Sequence, residues 1–352
     1  MLPILKIKSK MKNSLFTFVV LLTLFACKNE TKSTGTKAET KSTITKKEIK
    51  APSDVIPFMD KWKILLGDGT KSEDLVGFQK DDFFYVETEN KTDWVVYKTP
   101  NSGITSKTSS NTRTELGEKK HWIPEEGGKL TGTLKVKHVS TTGDATKSSA
   151  FSVVVGQIHS DEGHENEPLK IYYKKFPGHT KGSVFWNYEI NTKGDNAGRW
   201  DYSTAVWGND FSIVGEDATT APNEPVDGIA LDEEFSYEVN VYKGIMYLTF
   251  TSEGHETVTF TKSLIKTDFP TKASIPQQII DNYSSRRKVS EEREIAYAGE
   301  INYFKQGAYN QANVKTGSKI YESNIAKQYE NGSYAEVWFK SATVGEAIAP
   351  KK

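Results

Sequence analysis

Residues 149–159 run from two serines into Val153-Val154-Val155 and then into Gln157 and His159. Successive β-branched residues fit a pleated, buried strand better than any other local structure. Side chains on a strand alternate between its faces, so Gln157 and His159, two apart, share one face and Ile158 takes the other. A chain that holds such a strand must be a sheet protein. One face of that sheet is apolar and the other can present an amide beside an imidazole.

The same pattern recurs along the chain. Residues 130–139 (LTGTLKVKHV) set Leu130, Leu134 and Val136 on one parity and Lys135 and Lys137 on the other. Strands are expected over 83–97 (turning at Asn90-Lys91), 112–118, 149–159, 169–176, 183–190, 255–261, 300–311 and 335–340. Residues 235–242 and 245–251 flank Lys243-Gly244, a hairpin signal. Residues 58–66 fit helix or strand. Residues 284–294 are charged and are the best helix or exposed-loop segment. Residues 100–110 and the acidic stretch 160–168, with His164, read as loops. With 26 glycines for turns and 17 Phe, 16 Tyr and 7 Trp for cores, this is an all-β chain. About a dozen strands without repeats or βα units argue for a sandwich or jelly roll.

The first 26 residues are a targeting segment. Lys6, Lys8, Lys10 and Lys12 precede the short apolar run 15–26, which ends in Leu24-Phe25-Ala26-Cys27. This run resembles a bacterial lipobox, which makes Cys27 the lipid-modified first residue of the mature chain. Cys27 is the only cysteine, so no disulfide can form within the chain. Residues 27–52 carry the anchor and a Lys/Thr/Ser/Glu-rich tether with too little apolar surface to fold. Residues 53–352 form the globular domain. The expected address is the outer membrane, facing the periplasm or the outside. No segment reaches the roughly 18 consecutive apolar residues of a spanning helix.

Removing the four leader lysines leaves 42 basic against 46 acidic residues. No global basic field exists, so no nucleic-acid partner is expected. An anionic substrate would have to be held by local cations in a cleft.

Two further stretches offer such cations. In Arg113-Thr114-Glu115-Leu116, Arg113 and Glu115 share a face. In residues 303–311 (YFKQGAYNQ), Tyr303, Lys305, Gly307, Tyr309 and Gln311 share one, with Gly307 leaving room for a ligand to approach. With Gln157 and His159, the eight motif side chains combine cations, a carboxylate, amides, phenols and an imidazole, a surface suited to an acidic sugar.

RTEL, QIH and YFKxGxYxQ, in this order, resemble the three signature strands of the polysaccharide lyase family 7 alginate lyases, and the likeness extends from Lys61 to Phe339. The resemblance implies a β-jelly roll with a concave substrate groove and β-elimination at uronic acids, without a metal or other cofactor. It implies that Arg113 neutralises the substrate carboxylate with help from Gln157. His159 would act as or assist the base, and Tyr309 would protonate the leaving oxygen. Glu115, Tyr303, Lys305 and Gln311 would bind or orient substrate. The family often continues RTEL with a second arginine; here Gly117 stands there, which removes one groove cation. The QIH form leans toward guluronate-containing blocks.

Chemistry supports these residue types. The C5 proton of a uronate is a very weak acid while the carboxylate keeps its charge, so a cation must stabilise the developing enediolate. A base must reach C5 and an acid must reach O4. His121, His164, His179 and His255 show no metal-ligand spacing and read as loop or surface residues. A lyase for another polyuronate such as glucuronan, or an anchored alginate-binding jelly roll without activity, shares many of these features. A glycoside hydrolase needs two facing carboxylates, and the motifs hold only Glu115. A monomer is expected.

Overall fold

The alternating segments pair into two antiparallel sheets that share one core. The structure is a computed structural model and describes residues 51–350 except 106–108, 162–165, 213–220, 284–290 and 315–320. In chain order the strands are β1 (Trp62–Leu65), β2 (Lys71–Ser72), β3 (Phe84–Glu89), β4 (Thr92–Pro100), β5 (Arg113–Glu118), β6 (Gly128–His138), β7 (Ser152–Ser160) and β8 (Leu169–Lys174). They continue with β9 (Lys181–Thr192), β10 (Asp195–Trp207), β11 (Ile229–Ala230), β12 (Glu234–Tyr242), β13 (Ile245–Ser252), β14 (Val258–Ser263), β15 (Asn302–Asn310) and β16 (Tyr334–Gly345). One sheet runs β10-β9-β8-β7-β15-β5-β1-β2, with β11 beside β9; the other runs β14-β13-β12-β6-β16-β4-β3. This is the all-β jelly roll expected from the sequence.

The core lies between the sheets. Leu116, Val153, Val155, Ile158 and Phe304 of the first sheet pack with Leu130, Leu134, Tyr237, Val239 and Phe339 of the second. Each fully buried side chain of this kind contributes about 2 kcal/mol relative to exposure. A core of this size holds the domain without a disulfide.

Three expectations change. Residues 195–207, left unassigned from sequence, form β10, the longest strand. Residues 58–66 resolve into a short 3-10 turn, Met59–Lys61, followed by β1. Two short helices that the sequence reading does not expect stand among the described residues, α1 (Gln277–Tyr283) and α2 (Ile325–Glu330). Most of 284–294 is outside the described residues, and Glu292 forms a bridge to Thr192. Cys27, residues 28–50 of the tether and His164 also lie outside the described residues, whereas Ala51 and Pro52, expected in the tether, are buried against the domain.

β15 is the central strand of the site. It pairs with β7 through Tyr303↔His159 and Lys305↔Gln157, and with β5 through Gly307↔Glu115 and Tyr309↔Arg113. The register against β7 shifts between Gln306 and Tyr309, a bulge. Gly307 has φ +144°, and a β-carbon there would stand 2.6 Å from the Thr114 carbonyl oxygen. The glycine is therefore needed for the bulge against β7 and for the close approach of β5, and does not open a gap for a ligand.

Candidate active site

Three adjacent strands bring the three motifs onto one face of the first sheet. A cleft of about 680 Å³ opens there, lined by Arg113, Glu115, His159, Tyr303, Lys305, Tyr309 and Gln311 among others. Seven of the eight site residues expected from sequence thus meet in it. The eighth, Gln157, is fully buried beneath it.

Glu115 is the hub. Its Oε2 accepts from Arg113 Nη1 at 3.1 Å and from Lys305 Nζ at 2.7 Å, and its Oε1 accepts from Gln157 Nε2. Burial alone would raise this carboxyl, but Lys305 and Arg113 overcome that and hold it below the usual range. Two cations share one carboxylate, so one positive charge is left over. The Lys305 ammonium carries the strain: burial and the neighbouring Arg113 push its pKa below the usual lysine value. Gln157 takes a different place from the one expected. Its amide nitrogen grips Glu115, which orients the hub from below.

His159 and Tyr309 are held by separate contacts. His159 Nδ1 lies 2.6 Å from the Ser160 carbonyl oxygen. A carbonyl only accepts, so Nδ1 carries the proton and Nε2 keeps its lone pair. Burial, then the cations of Lys305 and Arg113, lower the imidazole pKa to about 4. His159 Nε2 stands 3.7 Å from Glu167 Oε1. Burial and the nearby Glu189 push the Glu167 carboxyl above its usual range, and with the imidazole depressed this contact is weaker than an ordinary ion pair. The Tyr309 ring lies under the Arg113 guanidinium, 3.8 Å from centroid to Cζ, and its hydroxyl is 3.0 Å from Ser109 Oγ.

Several lining residues were not anticipated. Ser109 Oγ also accepts from Arg113 Nη2 at 3.2 Å, so one hydroxyl ties the arginine to the tyrosine. It comes from the Ser/Thr/Gly loop before β5, where nothing in the sequence distinguishes one serine from another. Glu167, Lys170, Glu189 and Arg199 form a charged wall along β8 to β10. Lys170 pairs with Glu189, and Arg199 Nε is 3.6 Å from Glu189 Oε2. Although burial opposes ionisation, Lys170 and Arg199 hold Glu189 down to about 2. His121, a loop residue as expected, stands behind the lining: it stacks on Tyr303 at 4.9 Å, and its Nδ1 is 3.1 Å from Asp161 Oδ2. Gln311 is tied to Asn111, whose side-chain nitrogen is 3.4 Å away.

Known proteins match this arrangement. Residues 56–346 match the family model described as alginate lyase. A curated alginate lyase of Klebsiella pneumoniae is 30% identical over 275 residues, 68% of this chain and 74% of that protein. A solved exolytic alginate lyase of the same lyase family from Zobellia galactanivorans is 70% identical, with a TM-score of 0.81 over 86% of this chain and 99% of that one. The solved Klebsiella pneumoniae alginate lyase, 24% identical with a TM-score of 0.59, covers 85% of this chain and 99% of that one and shares the fold. With a matching family model over most of its length, three motif strands side by side and one cleft between them, the chain belongs to the alginate lyases of polysaccharide lyase family 7.

Proposed function

We propose that this alginate lyase works by β-elimination, with Arg113, His159 and Tyr309 dividing the chemistry. One observation carries the reading: a surplus cation, an imidazole held in its free-base form and a tyrosine hydroxyl line the same cleft. Arg113 meets the uronate carboxylate and lowers the cost of the enediolate. The neutral Nε2 of His159 takes the C5 proton. The electron pair left at C5 forms the C4–C5 double bond as the C4–O4 bond breaks, and the Tyr309 hydroxyl gives its proton to O4. The products are one chain with a new reducing end and one with a 4,5-unsaturated uronate at its non-reducing end. Gln157 keeps Glu115, and through it Arg113, in place.

The QIH form supports a preference for guluronate-containing blocks. The 70%-identical relative is described as exolytic, which supports release of short products from chain ends here too. The purified domain should be given polyguluronate, polymannuronate and glucuronan while the absorbance of the unsaturated product and the viscosity are followed. A faster rate on polymannuronate would overturn the preference. A steep viscosity drop before short products appear would overturn the exolytic mode.

The same proposal includes the address. The run ending at Cys27 supports a lipoprotein tethered to the outer membrane. Cys27→Ser should leave the membrane fraction; an unchanged distribution would sink the anchor.

A further inference from the structure

Lys63 of β1 stands opposite Gly117 of β5 in register. Its stem lies over that glycine: a β-carbon at 117 would be 3.6 Å from Lys63 Cε and 3.7 Å from Lys63 Cγ. Its Nζ is 5.9 Å from the centroid of the Tyr303 ring, and Tyr303 is backed by His121 on stacking terms. Lys63 is exposed and lines the cleft. Arg113, Lys305 and Lys170 each have a carboxylate within ion-pair distance, whereas among the described residues Lys63 has none. It is thus an uncompensated cation aimed over an aromatic ring. Arg113 and Gly117 are four positions apart on β5, about 13 Å along a strand, so one carboxylate cannot reach both.

We propose that Lys63 binds the carboxylate of a second uronate residue, with the Tyr303 ring as the floor of that subsite. The Lys63 stem lies over position 117 at ordinary contact distance, so it fills the space that a long side chain on β5 would occupy there. The cation that a residue on β5 would have supplied arrives from the neighbouring strand. The inference rests on the lyase reading and adds a substrate contact outside the three motifs.

The test is to measure kcat and KM separately on alginate oligosaccharides. Lys63→Ala is compared with Lys266→Ala, which removes the same charge from an exposed position outside the cleft. Lys63→Ala should raise KM about fivefold, the upper range for one exposed charge pair, with kcat nearly unchanged. Lys63→Arg should stay near wild type. Gly117→Arg in the Lys63→Ala background should recover most of the affinity, and failure to do so would overturn the part given to Gly117. A KM shift no larger than that of Lys266→Ala, or a loss confined to kcat, would overturn the subsite. A wild type that releases no unsaturated product from alginate would overturn the lyase reading together with it.

Discussion

A base in this cleft has to be free of its proton at the working pH, and for His159, the base proposed above, burial and neighbouring charge provide that. Burial removes water from the imidazole, and Lys305 and Arg113 repel the second proton, so the pKa falls from 6.5 to about 4. A displacement of that size disfavours the imidazolium by about 3 kcal/mol. Between these two pH values the native protein binds no proton at His159, whereas an unfolded chain does. The base is therefore available from about pH 4 upward. kcat/KM, which reports the free enzyme, should stay level as the pH is lowered from neutral through 6.5 and bend down only near 4. The assay is initial-rate absorbance of the unsaturated product in buffers of fixed ionic strength. Near-ultraviolet circular dichroism at each pH confirms that the protein is still folded. His159→Asn should lose the bend along with most of the rate. An acid limb in the wild type with its midpoint near 6.5, on folded protein, would refute the reasoning. Linkage adds an independent check: the depressed histidine makes native stability fall as the pH drops from 6.5 toward 4, and His159→Asn should flatten that part of the denaturation profile.

Other outcomes follow from the contacts around the hub. Tyr309→Phe deletes one hydroxyl and little packing, so kcat should drop about 10²–10⁴-fold with a smaller change in KM; near wild-type turnover would show that the proton donor is another group. Ser109→Ala removes the hydroxyl shared by Tyr309 and Arg113, and kcat should fall about tenfold, read by the same assay with Ser109→Thr as the conservative rescue. Glu115→Gln leaves two buried cations facing each other without their carboxylate, at a cost of about 3–5 kcal/mol. Calorimetry should show a melting point about 5–8 °C lower, and an unchanged one would contradict the assigned network.

Much of the fold could be read from local patterns, and the exceptions have physical causes. Strands with one face on the core, such as β6 and β12, show clean alternation because the other face meets solvent or polar neighbours. β8 and β9 are buried on nearly every residue. Their outer face is covered by Phe151, Phe176 and Phe211, which form a second apolar cluster with Val154 and Tyr172. A strand covered on both faces loses its period-two signal. β8 and β9 are nonetheless legible from their apolar and aromatic content, whereas β10 is hidden because its register against β9 is irregular between Asp195 and Arg199 and again between Ala205 and Trp207. Each irregularity breaks the parity that a sequence reading depends on. Gly307 illustrates the limit within a motif. The residue was visible, but whether its missing side chain makes room for a ligand or for the next strand depends on the backbone angle, which sequence does not display.

The site was legible where one strand carries several of its residues and illegible where the contact crosses strands. Arg113 with Glu115, and Tyr303 with Lys305 and Tyr309, show their common face by parity alone. That Glu115 pairs with both Arg113 and Lys305 requires β5 and β15 to be neighbours in one register, and that pairing joins positions 190 residues apart (Glu115 and Lys305) in the chain. The consequence reaches the chemistry. Arg113 and Lys305 are too buried to stand side by side uncompensated, yet a full set of acids would leave nothing to attract a polyanion. One carboxylate between two cations keeps the pair folded and leaves a single positive charge at the cleft surface. Such a charge is screened within about 8 Å at physiological ionic strength, and the chain carries no net charge overall. It therefore cannot draw substrate from a distance; it acts on a carboxylate already inside the cleft, where it favours the enediolate over the bound ground state.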